Sequence, residues 1–442
     1  ETPEHHPGTH EPEKHFAFTA DNGSLEAAAE RCVGVGTCRN TKGGVMCPSY
    51  RATREEQHST RGRARLLWEM TAGALREDGF KSEAVHEALS LCLSCKACKT
   101  ECPVQVDIAQ YKAEFLAQRY KGRLRPPHHY FFGFADRLAK WGSIAPGLTN
   151  AVLTGPVTGA LAKRIAGVAA ERELPRLARR SYLKERAAHR ADGPGSSAGA
   201  EAARVLLWPD TWNNYYHPET LIAAETVLAQ AGFEAETPQG HLCCGRPLYD
   251  FGFLGAARNY LARVMERMAP QIDAGRPFIF LEPSCASVFN DELQELFPRD
   301  ARARRLRQQV WLLADWLAAK ARGAFAGRLE GAHVLIHGHC HHKADFGGPR
   351  NEIAVLREAG ARVEPIEAGC CGMAGPFGFE AEKFEVSKAI AEDALLPAVR
   401  SAGPMTIVVA DGFSCREQIA QLGKREAMHF AEVLAHACGC GQ

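Results

Sequence analysis

The stretch "CLSCKACKTECP", Cys92 to Pro103, constrains this chain more than any other. Cysteines stand at 92, 95, 98 and 102, with a proline after the last. Three thiols separated by two residues converge within one tight loop, while a fourth points elsewhere. An earlier stretch, "RCVGVGTC", carries Cys32 and Cys38 with Val35 where a middle cysteine would fall, and Cys47 precedes Pro48. The chain has 16 cysteines in 442 residues. In a small secreted protein that number would indicate disulfides. Here the cysteines form tight clusters in a long chain with no secretory signal, and they include the adjacent pairs Cys243-Cys244 and Cys370-Cys371. Metal or cluster ligation in a reducing compartment fits better.

Composition narrows the rest. Apolar residues make up 45% and charged residues 24%, with a formal net charge of +1. Such a chain can bury more than one core and has no basic excess for nucleic acid. Residues 1–23, rich in Pro, His and Glu, read as a flexible N-terminal segment. Residues 24–125 read as helices around the two cysteine tracts. Asp107 is placed to cap a helix on which Ile108, Tyr111 and Phe115 share a face. Residues 126–203 read as a helical connector ending in the linker "ADGPGSSAGAEA", 191–202. Its longest uncharged run, Trp141 to Ala162, carries Pro146, Pro156 and four glycines. That run is too broken to span a membrane and reads as two short buried helices, with a peripheral membrane-touching role as the alternative.

Beyond the linker the chain repeats itself. One unit, 204–330, opens with "RVLLW" (204–208) and reaches "HLCCGRP" (241–247), "PFIFLEP" (277–283) and Cys285. The other, 331–437, opens with "HVLIH" (333–337) and Cys340, and reaches "AGCCGMAG" (368–375), "MTIVVADG" (405–412) and Cys415. From Cys244 to Cys285 is 41 residues, and from Cys371 to Cys415 is 44. Short apolar runs alternating with helical stretches predict parallel sheets, with the cysteine turns at strand ends. The expected fold is multidomain α and α/β: a helical two-cluster domain followed by two repeated α/β units with parallel sheets.

The first motif resembles the bacterial ferredoxin run, whose fourth cysteine serves the other cluster of a pair. A zinc site is its rival. Crossing over in that way, Cys92, Cys95 and Cys98 take Cys47 and hold a 4Fe-4S cluster. Cys32, Cys38 and Cys102 hold the second. Three thiolates with Val35 at the missing corner suit a 3Fe-4S cluster, a pattern similar to the iron–sulfur subunits of succinate dehydrogenase and fumarate reductase. A second 4Fe-4S cluster, completed by water or by a side chain from "RNTKGGVM" (39–46), is the alternative.

Cys340, Cys370, Cys371 and Cys415 offer the second repeat unit a further cluster. The first unit has only Cys243, Cys244 and Cys285, with Asp210 or a neighbour at the position matching Cys340. A glycine after each cysteine pair lets backbone N–H groups point at sulfur. The spacing resembles the CCG cysteine-rich domains of heterodisulfide reductase and of the small subunits of anaerobic glycerol-3-phosphate dehydrogenase and glycolate oxidase. His333, His337, His339, His341 and His342 crowd Cys340, and His241 precedes the first pair; hydrogen bonding is the plainer reading than ligation. "PDTWNNYYHPE" (209–219) suits either a pocket wall or helix capping and packing.

Taken together, "RCVGVGTCRNTKGGVMCPSY", "CLSCKACKTECPVQVDIAQYKAEFLAQ", "HGHCHHKA", "CCGMAGPFG" and "ADGFSCREQI" resemble the iron–sulfur half of FAD-linked D-lactate and D-2-hydroxyglutarate dehydrogenases. The resemblance implies an oxidoreductase component relaying electrons from FAD, on a partner domain or subunit, to a quinone or other acceptor. No dinucleotide or Walker fingerprint is found, which fits either a separate subunit or a fragment. A cytoplasmic location follows, with peripheral attachment to the inner membrane as a variant. The rivals are a thiol/disulfide reductase using a CCG cluster and a non-enzymatic iron–sulfur sensor or scaffold.

Overall fold

The computed structural model describes residues 13–191 and 203–439. The ferredoxin-like tract folds as six short α-helices: Leu25–Glu30, Pro48–Thr53, Thr60–Thr71, Glu83–Ser90, Ala97–Glu101 and Ile108–Arg119. Four of them start where a short polar side chain accepts a free backbone N–H. Ser24, Ser59, Ser82 and Asp107 bond the N–H groups of Ala27, Gly62, Val85 and Gln110. The helices close around Leu67, Leu89, Tyr111 and Phe115, and the seven cysteines of the tract belong to this core or pack against it.

Residues 13–23 correct the expectation of a flexible lead-in. Phe16 and Phe18 are buried. The backbone N–H groups of His15 and Phe16 donate to the buried Glu114 carboxylate at 3.0 and 3.1 Å. Ala17 N–H donates to the Glu295 carbonyl at 3.0 Å. Two aromatic residues among polar ones outweigh the average composition. Residues 1–12 and the linker at 192–202 lie outside the described residues.

The connector is helical over Pro127–Gly133, Ala135–Gly142, Pro146–Thr154 and Pro156–Ile165, with a last helix at Tyr182–Ala191. Pro146 and Pro156 each open a helix, where a missing N–H costs nothing. The uncharged run thus forms two helices as expected, but they are not buried. Trp141, Ile144, Leu148, Val157 and Leu161 stand in solvent. No helix among the described residues is long and apolar enough to cross a membrane.

Each repeat unit builds a wholly parallel sheet. The first contains β1 (Ala203–Leu207), β2 (Phe233–Glu236), β3 (Phe278–Phe280) and β4 (Val310–Leu312) in the order β2-β1-β3-β4. The second contains β5 (His333–His337), β6 (Arg362–Pro365) and β7 (Ile407–Ala410) in the order β6-β5-β7. The central strands are apolar along most of their length because parallel strands are covered on both faces. Val205, Leu207 and Ile279 share one core with Val334, Ile336 and Val409, so the two units are fused back to back. Helices Pro218–Gln230 and Phe430–Ala437 pack between them.

Candidate functional site

The Cys92 loop follows directly from the end of helix Glu83–Ser90. Ser94 and Lys96 adopt left-handed conformations, φ 51° and 59°, which coil the loop tightly enough for Cys92, Cys95 and Cys98 to turn inward. Cys47 enters from the start of helix Pro48–Thr53. The four thiols line one small cavity together with Met46, Arg63 and Ile108. Arg63 is buried, and its Nη1 donates to Cys47 Sγ at 3.3 Å. Its other donors hold the Ala88 carbonyl and the Ser49 hydroxyl, each at 2.8 Å. Lys112 Nζ donates to the Cys92 carbonyl at 2.6 Å. Burial pushes the Cys95 and Cys98 thiols well above their ordinary range. Four buried sulfurs beside a guanidinium are stable as thiolates once bound cations supply the missing charge.

Cys32 is half-buried, while Cys38 and Cys102 are buried. Cys38 Sγ accepts the Arg61 N–H at 3.4 Å. Burial raises the Cys38 thiol, with Cys47 and Cys32 adding to the rise. Gly34 and Gly36, at φ 79° and 84°, shape the turn, and Val35 between them is 56% exposed. The corner next to Val35 therefore lies at the surface. Glu101, which the sequence reading passed over, fixes the approach to Cys47: its carboxylate accepts the N–H groups of Val45 and Met46 at 2.7 and 3.0 Å.

The two repeat units present matching cysteine sites. Gly245 and Gly372 are left-handed, φ 80° and 83°, and their N–H groups donate to Cys243 Sγ at 3.3 Å and Cys370 Sγ at 3.4 Å. Cys244 and Cys285 place their sulfurs 3.0 Å apart, and in the second unit the Cys371 thiol interacts with Cys370 and Cys415. His339 caps the helix that begins at Cys340, while Asp210 caps the helix that begins at Thr211. The position matching Cys340 is therefore Thr211, the neighbour of Asp210. Its hydroxyl lies 3.6 Å from Cys243 Sγ and 3.1 Å from His241 Nε2. Cys340, by contrast, has the Cys370 thiol beside it, and that neighbour holds the Cys340 thiol below its ordinary range.

Both sites face one cavity of about 280 Å³. Cys243, Cys244 and Cys285 line it from the first site and Cys340 from the second. Glu282 joins the units. Its carboxylate accepts the Ser284 N–H at 3.2 Å and the Phe413 N–H at 2.8 Å, capping one helix from each unit. Trp212 stacks on Phe413 at 4.5 Å and 7°. "PDTWNNYYHPE" thus serves both roles, with Thr211, Trp212 and Tyr216 on the cavity wall.

The ferredoxin-like loop is docked against this cavity. The Ser94 carbonyl accepts His341 Nε2–H at 3.0 Å from one unit and Arg246 Nη2 at 3.4 Å from the other. Arg246 and Lys96 share the Glu292 carboxylate at 2.6 and 2.8 Å, and Lys96 also pairs with Asp291. After burial, the charge that most raises Cys95 is that of Cys340. Lys96, Arg246 and Glu292 escaped the sequence reading because their partners lie far away along the chain. Of the crowded histidines, His339 and His341 join Cys340 in a group whose donor atoms lie within 4.8 Å of one another. His342 Nδ1 faces Glu352 at 3.4 Å. Burial keeps His337 neutral, with its pKa lowered to about 3.

Comparison with known proteins agrees with this layout. A family model described as a 4Fe-4S dicluster domain matches residues 28–106, and one described as a cysteine-rich domain matches residues 210–289 and 334–420. The chain thus carries one 4Fe-4S dicluster domain followed by two cysteine-rich domains. It is 28% identical to D-2-hydroxyglutarate dehydrogenase of Pseudomonas putida over 444 residues, covering 92% of this chain and 43% of that protein. One subunit of the anaerobic glycerol-3-phosphate dehydrogenase of Escherichia coli is 27% identical over 238 residues, 53% of this chain and 59% of its own. Lactate utilization protein A of Bacillus subtilis is 24% identical over 223 residues, 48% of this chain and 90% of its own. The chain thus spans under half the length of the D-2-hydroxyglutarate dehydrogenase it matches.

Proposed function

We propose that this chain is the iron–sulfur electron-transfer part of a FAD-linked 2-hydroxyacid dehydrogenase, passing electrons singly from a flavin on a partner domain or subunit to a quinone or other acceptor. The observation that carries this reading is the docking of the Cys92 loop, through Ser94, onto the cavity lined by Cys243, Cys285 and Cys340. Cys47, Cys92, Cys95 and Cys98 fit a 4Fe-4S cluster. Cys32, Cys38 and Cys102 fit a second cluster, a 3Fe-4S one on our reading. Cys340, Cys370, Cys371 and Cys415 fit a third, whereas Thr211 leaves Cys243, Cys244 and Cys285 one thiol short. When bound, these groups supply one-electron chemistry between a two-electron flavin and the acceptor.

The chain's own residues set the conditions. Arg63 places positive charge at Cys47, and the Gly245 and Gly372 N–H groups do the same, more weakly, at Cys243 and Cys370. Apolar side chains pack around Cys47, Cys92, Cys95 and Cys98. The assignment carries a cytoplasmic location, with peripheral attachment to the inner membrane as a variant. The test uses photoreduced free flavin as donor and ubiquinone-1 as acceptor, with reconstituted protein. Quinone reduction should be fast with the parent and lost in Cys95→Ser. An equal rate in both would refute the relay. The cysteine-lined cavity also supports a second reading as a disulfide reductase, which flavin-independent reduction of a small disulfide would favour.

A further inference from the structure

Arg172 stands in the connector, on the stretch that follows helix Pro156–Ile165 and is pinned to the second repeat unit. Ala169 N–H donates to the Phe379 carbonyl at 2.8 Å, and Ala381 N–H donates to the Gly167 carbonyl at 2.9 Å. The Arg172 side chain is fully buried. Its bonded donors reach neutral acceptors. Nε donates to the Gly378 carbonyl at 2.7 Å, and Nη2 donates to Gln418 Oε1 at 2.7 Å and to the Ser387 hydroxyl at 3.2 Å. Nη1 is buried with no partner. Glu417, the nearby acid, is turned to His217 and Gln421. A buried cation in a folded protein is ordinarily paired with an anion, and among the described residues no carboxylate bonds this one.

The charge it answers to is that of the second cysteine site. Burial lowers the Arg172 pKa to about 10, and the charge that most opposes the fall is that of Cys371, ahead of Glu417. Gln418 links the two residues: it accepts from Arg172 and donates to the Cys371 carbonyl at 2.9 Å. Lys343 repeats the pattern. Its Nζ donates to the Ala368 carbonyl. Burial lowers its pKa, and the charges that most oppose the fall are those of Cys340, Cys415 and Cys370. The first site differs, because its neighbouring cation is already paired. Arg246 lies 2.6 Å from Glu292 and 3.6 Å from Asp250. Four thiolates outweigh the positive charge of an iron–sulfur core, so a cluster held by four cysteines is a net anion.

We infer that Arg172, together with Lys343, is the built-in counter-charge of an anionic iron–sulfur group at Cys340, Cys370, Cys371 and Cys415. Neither residue ligates the group; both set its reduction potential through charge. The inference rests on the third cluster site proposed above and not on the flavin relay.

The test is an EPR-monitored redox titration of the cluster-loaded full chain under anaerobic conditions. The centre in question is the one whose signal Cys415→Ser removes. Arg172→Met should lower its potential by about a tenfold shift in the one-electron equilibrium, about 59 mV. The potential of the centre that Cys92→Ser removes should stay in place. Arg172→Lys keeps the charge and should recover most of the shift. Lys343→Gln keeps a donor for the Ala368 carbonyl and should lower the same potential as Arg172→Met. If Arg172→Met loses the centre altogether, Arg172→Lys should restore it, and Lys343→Gln still reports the potential. A potential unchanged in either charge-removing variant with iron retained would overturn the inference. So would a centre that Arg172→Lys fails to restore, or a parent from which Cys415→Ser removes neither iron nor signal. Reduction of a water-soluble dye by photoreduced flavin is read in the same samples. Shifted potentials without dye reduction in the parent remove the relay and leave the counter-charge. Dye reduction with unshifted potentials removes the counter-charge and leaves the relay.

Discussion

Replacing Arg63 with methionine tests whether the buried guanidinium tunes the cluster assigned to Cys47. Arg63 is fixed by three partners, and one of its donors lies 3.3 Å from Cys47 Sγ. At an effective dielectric of about 20 and a separation of roughly 6 Å from an added electron, one unit charge is worth about 3 kcal/mol. For a one-electron couple that is about 120 mV. Delocalisation over the cluster reduces the effect, so the expected fall in reduction potential is about 60–120 mV. Arg63→Lys keeps the charge but loses the fork that reaches Ser49 and Cys47 together, and should fall by less than half as much. Arg63→Met also leaves the Ala88 carbonyl unpaired, a cost of about 1–3 kcal/mol in stability, so iron content must be checked first. The assay is an EPR-monitored redox titration under anaerobic conditions. A potential unchanged to within about 20 mV in Arg63→Met, with iron retained, would refute the electrostatic reasoning.

Four further outcomes follow from the geometry. Burial alone would lower the pKa of His217, but its hydrogen bonds with Glu219 and Glu417 raise it from 6.5 to about 9. A raised value means the stabilisation is complete below pH 6.5 and is lost as pH rises through about 9. Because the ring is about a third exposed, His217→Gln should cost only about 1 kcal/mol in urea melts near pH 6 and almost nothing near pH 10. Glu282→Ala removes caps from helices in both repeat units and should cost about 2–3 kcal/mol in thermal melts, with Glu282→Gln milder. Thr211→Cys gives the first repeat unit its fourth thiol and should raise the iron content per chain; unchanged iron would show that the two sites are not equivalent. Val35→Cys should convert the spectrum of the second cluster from a three-iron to a four-iron type, and an unchanged spectrum would show that Val35 does not decide it.

The sequence exposed what is local. Cysteine spacing marked the four thiols that line one cavity, Cys47, Cys92, Cys95 and Cys98. "HVLIH" gave β5 with its observed ends because an apolar run between polar turns has few other ways to be buried. The Asp107 cap likewise announced the helix it starts. Two of the misses share one cause: partners distant along the chain. Glu114 buries the backbone of His15 from 99 residues away, so composition alone misjudged residues 13–23. The docking of Ser94 depends on Arg246 and His341, from two different repeat units. The spacing narrowed the match to Cys340 to Asp210 or a neighbour, and the common helix start shows that it is the neighbour, Thr211. Trp141 to Ala162 was misjudged because an uncharged run signals burial, whereas its helices leave Trp141, Leu148, Val157 and Leu161 exposed.

The account depends on thiolates holding iron–sulfur groups at the Cys92 loop and beside it. The most direct measurement is the iron and acid-labile sulfide content of anaerobically purified protein, with low-temperature EPR of its oxidised and reduced forms. The account predicts at least two clusters per chain, one of them a four-iron centre that Cys92→Ser removes. Zinc in place of iron, or disulfides joining Cys47, Cys92, Cys95 and Cys98, would contradict it.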